Sequence, residues 1–267
     1  MPTKFDPVGD RQFWLDFSLK HELRFEPETV PPKGWPHLVA GHVSTLVDAY
    51  FLGLADRVKP GLETIIAWMD AQPEPDPGLW SPPQDHWRDA WAAQYLWHQT
   101  LGLAKWLNRG EASERHFSAA LDAEWRCWRS VDAEKAAFDH GRRQLLLSEQ
   151  LAVALAAKEP ARGLKLYDDV GVRHPSAYEA PLLQFGRWAC RHLALGGSPD
   201  AVFVARGADM LQASLLSNFL WGGNISEAAL WLKAVYWDSG IARTPEQAFG
   251  RAYDCMPGIE RPDFVPV

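Results

Sequence analysis

Between His37 and Leu54 the apolar residues Leu38, Val39, Val43, Leu46, Val47, Tyr50, Phe51 and Leu54 recur at steps of three and four. That is the period of a helix with one buried face, starting near Trp35 and Pro36. Gly53 and the cluster Lys59-Pro60-Gly61 interrupt the pattern, and Leu62, Ile65, Ile66 and Met69 resume it, so the two segments predict a helical hairpin. Five prolines between Gln72 and Pro83 exclude a helix interior there. If residues 1–267 divide internally rather than forming one domain, this Pro-rich loop, 72–83, is where they do so. Ser81-Pro82-Pro83-Gln84 then has the residues of a capping box. It opens a long helix to about Asn108, stopped at Gly110. Glu111 to Arg129 reads as its antiparallel partner, with Phe117, Ala120, Leu121, Trp125 and Trp128 on one stripe.

The same grammar continues to the end of the chain. A helix over roughly Asp132 to Lys158, broken or bent at Gly141, stops at Glu159-Pro160, and a short one covers Ala161 to Val170. Pro181 to Leu195 is closed by Gly196-Gly197, and Ser198-Pro199 caps a helix reaching about Leu216. After Gly222-Gly223, Asn224-Ile225-Ser226-Glu227 supplies an N-cap and an acid in the first turn of a helix ending near Asp238 and Gly240. Thr244-Pro245-Glu246-Gln247 opens the last helix, which ends before Pro257, and Arg261 to Val267 reads as an extended tail. β-Branched runs with period-two alternation are almost missing, so the fold class is all-α. Turns near Gly53, Gly110, Pro160, Gly196 and Gly222 are too unevenly spaced for a consensus repeat. The plan is one of stacked antiparallel helical hairpins, arranged as a tetratricopeptide-like superhelix or as a helical bundle.

Composition narrows the function. With 27 Lys plus Arg against 34 Asp plus Glu, the net charge is −7, which lacks the basic footprint that nucleic acid or an anionic membrane requires. Met1 to Asp10 has no apolar core of a signal peptide, and no run approaches the roughly 20 apolar residues of a membrane span. A cytoplasmic protein is the expectation. Cys127, Cys190 and Cys255 lie far apart with no C-x-x-C, giving neither a disulfide framework nor a zinc knuckle. Fourteen Trp residues are an unusual load, and Trp serves both as a buried anchor and at binding surfaces.

Catalytic signatures are mostly missing. His21-Glu22-Leu23-Arg24-Phe25 starts like a zinc-protease helix but has Phe25 where the second ligand belongs. Asp168-Asp169 lacks a later carboxylate and reads as a solvated helix end. Asp139 and His140, as helix neighbours, point about 100° apart. No catalytic residue, metal or cofactor is therefore expected. Trp87, Trp91, Tyr95 and His98 share one helical face, which is either a core seam or the lining of an aromatic pocket. Charge concentrates between Pro60 and Asp89, where Glu63, Asp70, Glu74, Asp76, Asp85 and Asp89 face only Arg88. With Trp80 as a central apolar anchor, this acidic patch is the candidate partner-binding site, fit to steer and hold a basic protein.

In its helical plan, its Trp-rich helices and the turns Tyr50-Phe51-Leu52-Gly53-Leu54 and Leu220-Trp221-Gly222-Gly223-Asn224, the chain resembles helical immunity proteins of bacterial polymorphic-toxin systems, such as the immunity protein 49 family. The likeness covers roughly residues 37–260. It implies a bacterial cytoplasmic protein that binds one cognate toxin, often a nuclease with a basic cleft, and neutralises it. The competing readings are an all-α enzyme or ligand-binding protein with the Trp87 face lining a pocket, and a tetratricopeptide-like adaptor.

Overall fold

The computed structural model describes residues 35–75, 90–110, 113–130, 147–170, 179–215 and 225–256, together with Gly9, Gln12, Phe13, Asp16 and Arg261. The first hairpin pairs α1 (Trp35–Phe51) with α2 (Ala55–Ala71). Gly53, at φ 71°, makes the turn between them in a backbone region open chiefly to glycine. Contrary to expectation, Lys59-Pro60-Gly61 does not interrupt α2. Pro60 lies inside the helix on its exposed side, where forfeiting one hydrogen bond to the preceding turn costs least.

The second hairpin, α3 (Ala90–Arg109) and α4 (Glu114–Ser130), turns at Gly110 with φ 59°. Phe117, Ala120 and Leu121 of the expected α4 stripe are buried and Trp125 packs at the core's edge. Residues 147–156 form α5, which ends at Lys158 in the left-handed region, φ 58°. Then come α6 (Pro160–Val170), α7 (Glu179–Ala194) and α8 (Ala201–Met210). The cap of α8 is not Ser198 but Asp200, whose side chain accepts from the amides of Val202 and Phe203. The helix widens into a π turn over Leu211–Leu215. α9 (Ile225–Leu232) does the same over Lys233–Trp237, and α10 (Pro245–Ala252) is capped as expected by Thr244, which accepts from the Gln247 amide. All elements among the described residues are helical, and none of those helices is long and apolar enough to cross a membrane.

α1 decides the arrangement. It packs on α2 and α3, as a stacked hairpin would, and also on α9 and α10 from the far end of the chain. Tyr253 donates to the Phe51 carbonyl at 2.8 Å, Ser44 and Ser226 share a hydrogen bond of 2.8 Å, and Lys59 pairs with Glu246 at 2.9 Å. An open superhelix touches only sequence neighbours. The hairpins here close on themselves, as in a bundle. The core around α1 holds Tyr50, Phe51, Trp106 and Phe249, with Trp106 and Phe249 stacked at 6.2 Å and Tyr50 donating to the Leu107 carbonyl. Close packing is demanding where α8 meets the π turn after α9: a Cβ on Gly207 would stand 2.6 Å from Val235.

Candidate functional site

Of the acidic patch, Glu63, Asp70 and Glu74 are described, while Asp76, Trp80, Asp85 and Asp89 lie outside the described residues. Glu63 is exposed on α2. Asp70, in its last turn, and Glu74, just beyond, keep 47% and 50% of their side chains in water. Both are tied down from α3: Lys105 Nζ lies 2.7 Å from Asp70 Oδ1, and His98 Nε2 lies 3.0 Å from Glu74 Oε1. The geometry follows from the chain path. Gln72 leaves α2 in extended conformation, and the Pro75 carbonyl accepts from Gln94, laying residues 72–75 along α3. His98 and Lys105 are seven residues, two helical turns, apart and so face the same side.

The aromatic face thereby meets the acidic patch. Trp87 and the side chain of Trp91 lie outside the described residues, Tyr95 is buried, and His98 is 15% exposed at the edge. α4 adds His116, whose ring stacks on His98 with centroids 6.5 Å apart, and whose Nε2 accepts from Arg115 Nε at 3.3 Å. Burial first, and then the charges of Lys105, Arg115 and His98, push the His116 imidazole down to about 4. It stays neutral at physiological pH. The junction of α2, α3 and α4 thus holds one ion pair, Lys105–Asp70, and one imidazole–carboxylate hydrogen bond, His98–Glu74, behind an acidic rim.

A second polar locus escaped the sequence reading. Glu149 on α5, Glu179 on α7 and Glu227 on α9 are buried in the interior. Gln99 of α3 donates to Glu149, and Trp231 Nε1 donates to Glu227 at 3.2 Å. Burial first, and then the negative charges of Glu149 and Glu179, raise the Glu227 carboxyl to about 7; hydrogen bonds from Ser148 and Trp231 oppose the rise. Glu227 is in the first turn of α9 as expected, yet its side chain turns inward to the indole four residues on. One signal was legible: Glu149 stands in the run Leu145-Leu146-Leu147-Ser148-Glu149-Gln150-Leu151-Ala152-Val153, where a carboxylate has no reason to be solvated. Among the described residues, no group of three or more His, Cys, Asp or Glu is placed to hold a metal ion.

The other candidates are quiet. Asp168 and Asp169 are exposed, and Asp169 pairs with Lys165 at 3.1 Å. Asp139 and His140 and the segment His21–Phe25 lie outside the described residues. Cys190 is buried and its thiol is pushed up to about 12 by burial, so it packs as a small apolar group. A cleft of about 310 Å³ between α4 and α6 is lined by Trp125, Asp122, Arg162 and Lys165. Its charges answer one another: Arg162 binds Asp122 and Glu159, each at 2.6 Å, and Lys165 lies 4.7 Å over the Trp125 ring. No protein-family model, curated protein or solved structure matches this chain.

Proposed function

We propose that this chain is a cytoplasmic protein-binding protein of the immunity type, which binds and neutralises a cognate bacterial toxin through the acidic rim of the α2–α3–α4 junction. The observation that carries the reading is that Asp70 and Glu74 are half in water and already held in one geometry by Lys105 and His98. Side chains ordered in advance lose little rotamer freedom when a partner docks. The excess negative charge around them, including exposed Glu63, attracts a basic surface such as the cleft of a nuclease. Asp76, Trp80, Asp85 and Asp89 follow Glu74 in the sequence, and the proposal includes them as further acids and an apolar anchor.

The enzyme alternative has one observation in its favour, the carboxylate–imidazole pair Glu74–His98. Glu74 occupies Nε2 of that ring, and Nδ1 is buried with no hydrogen-bond partner among the described residues, so neither ring nitrogen faces open solvent to take a proton from a substrate. The test is association kinetics with whichever protein the tagged chain captures stoichiometrically from lysate of its native host. Glu63→Lys with Glu74→Lys is expected to slow association about tenfold at low salt and to flatten its salt dependence. An on-rate equal to that of the native chain removes the rim from the model. Asp70 is left in place because it neutralises Lys105.

A further inference from the structure

A different pair of helices carries the opposite chemistry. Three arginines elsewhere in the described residues pair with carboxylates, Arg57 with Asp16, Arg162 with Asp122 and Glu159, and Arg251 with Asp254, whereas Arg115 donates to His116 and Arg243 stands singly in water. On the α7–α8 hairpin Arg187, Arg191 and Arg206 are all exposed, and none has a carboxylate within ion-pair distance among the described residues. This occurs in a chain with seven more acids than bases. Arg187 instead lies over the Tyr167 ring at 5.0 Å and Arg206 over the Trp188 ring at 4.3 Å. Stacking fixes a guanidinium plane and leaves its N–H edge free, the geometry that grips a carboxylate with two hydrogen bonds.

Arg206 stands at a cleft of about 380 Å³ between the two helices, while Arg187 and Arg191 lie on the same hairpin outside its lining. Phe185, Met210 and half-buried Trp188 form its floor, and Arg206 and Asp209 stand exposed at its rim. At the closed end of the hairpin Leu195 and Val202 are 78% and 57% exposed, two of the four large apolar side chains left in water among the described residues. We propose that this face docks an acidic protein segment that sets an apolar side chain in the α7–α8 cleft and its carboxylates on Arg187, Arg191 and Arg206. Charge complementarity selects this occupant. A long polyanion such as RNA, or an anionic bilayer, would also meet the net negative remainder of the molecule, whereas a short acidic segment meets only the hairpin.

The test uses the full chain and a labelled random copolymer of Glu and Tyr, followed by fluorescence anisotropy. The copolymer is expected to bind with an affinity that falls as salt rises, and more tightly than poly-Glu, which lacks the apolar anchor. Arg191→Glu with Arg206→Glu should weaken it at least about tenfold, while Arg243→Glu, an exposed arginine off this face, changes it less than about twofold. Ala213→Trp, which fills the cleft and leaves every charge in place, should abolish the preference for the copolymer over poly-Glu. The proposal is overturned if the native chain fails to bind the copolymer, if the Arg191/Arg206 and Arg243 variants lose equally, or if a thymidine oligonucleotide or phosphatidylserine vesicles bind the same face in preference.

Discussion

At the junction of α2, α3 and α4, acids meet bases across helix boundaries and a histidine is held without its proton. In the interior between α5, α7 and α9, glutamates meet other glutamates with amide and indole donors, and one of them keeps a proton to about pH 7. Both shifts begin with burial, which disfavours whichever form is charged. Neighbours then add to it in each place: cations beside His116, anions beside Glu227. Proton affinity here is a property of the fold around a residue more than of the residue type.

The comparison has a thermodynamic signature. His116 titrates near 6.5 when unfolded and near 4 when folded, so its contribution to stability is full above 6.5 and is lost as pH falls toward 4. Glu227 moves from 4.5 to about 7 on folding, so its contribution is full below 4.5 and is lost as pH rises toward 7. Across that interval the slopes oppose each other and partly cancel. His42, lowered by burial, sides with His116, and Asp238, raised by burial, sides with Glu227.

The harshest way to break the interior locus is Trp231→Ala, which removes a fully buried indole packed on Phe185 and the donor to Glu227. Urea unfolding should register a loss of about 3–5 kcal/mol, and the fall in stability with rising pH should steepen. Glu227→Gln keeps the shape and removes the titration. Unfolding midpoints measured from pH 4.5 to 7 should no longer contain its share, on the order of 3 kcal/mol, and stability should then increase with pH as the histidine side dictates. A profile unchanged by this substitution would mean that Glu227 is already ionised in the fold.

At the junction, Asp70→Asn leaves Lys105, 10% exposed, without its carboxylate. Calorimetry should record a destabilisation of about 1–2 kcal/mol, below that of a fully buried pair because half of Asp70 already faces water. The mildest change is His116→Gln, read as a slope: the loss of stability between pH 6.5 and 4 should shrink, with little effect at pH 7. Combining it with Glu227→Gln should flatten the profile further than either change alone.

Much of the architecture was legible in the chain. The apolar stripe of α1, the turns at Gly53 and Gly110, the end of α7 and the Thr244 cap all came from residues within a few positions of one another. The misreadings applied a breaker or a cap rule without knowing which side of the helix faces water or where its first turn begins. Pro60 stays within α2 because its missing bond falls on the solvent side. Asp200 caps α8 where Ser198 was expected, because the helix begins two residues later. The functional loci were less legible: an acidic run was visible as charge, but that Asp70 and Glu74 are pinned by Lys105 and His98 was not. Nothing in the sequence singles out the arginines of α7 and α8, since sequence does not say which cations go without a carboxylate.

The sequence by itself determined that this chain is helical, where several of its turns fall and which faces are apolar, because periodicity, caps and glycine turns act over one or two helical turns. Tertiary structure alone decided that the two ends meet on α1, that the acidic rim is held from α3, and that Glu227 lies beside Glu149 and Glu179. Those outcomes depend on partners distant along the chain, as with Gln99 and Glu149, fifty residues apart. The local dielectric and the company of other charges exist only once those partners are packed together.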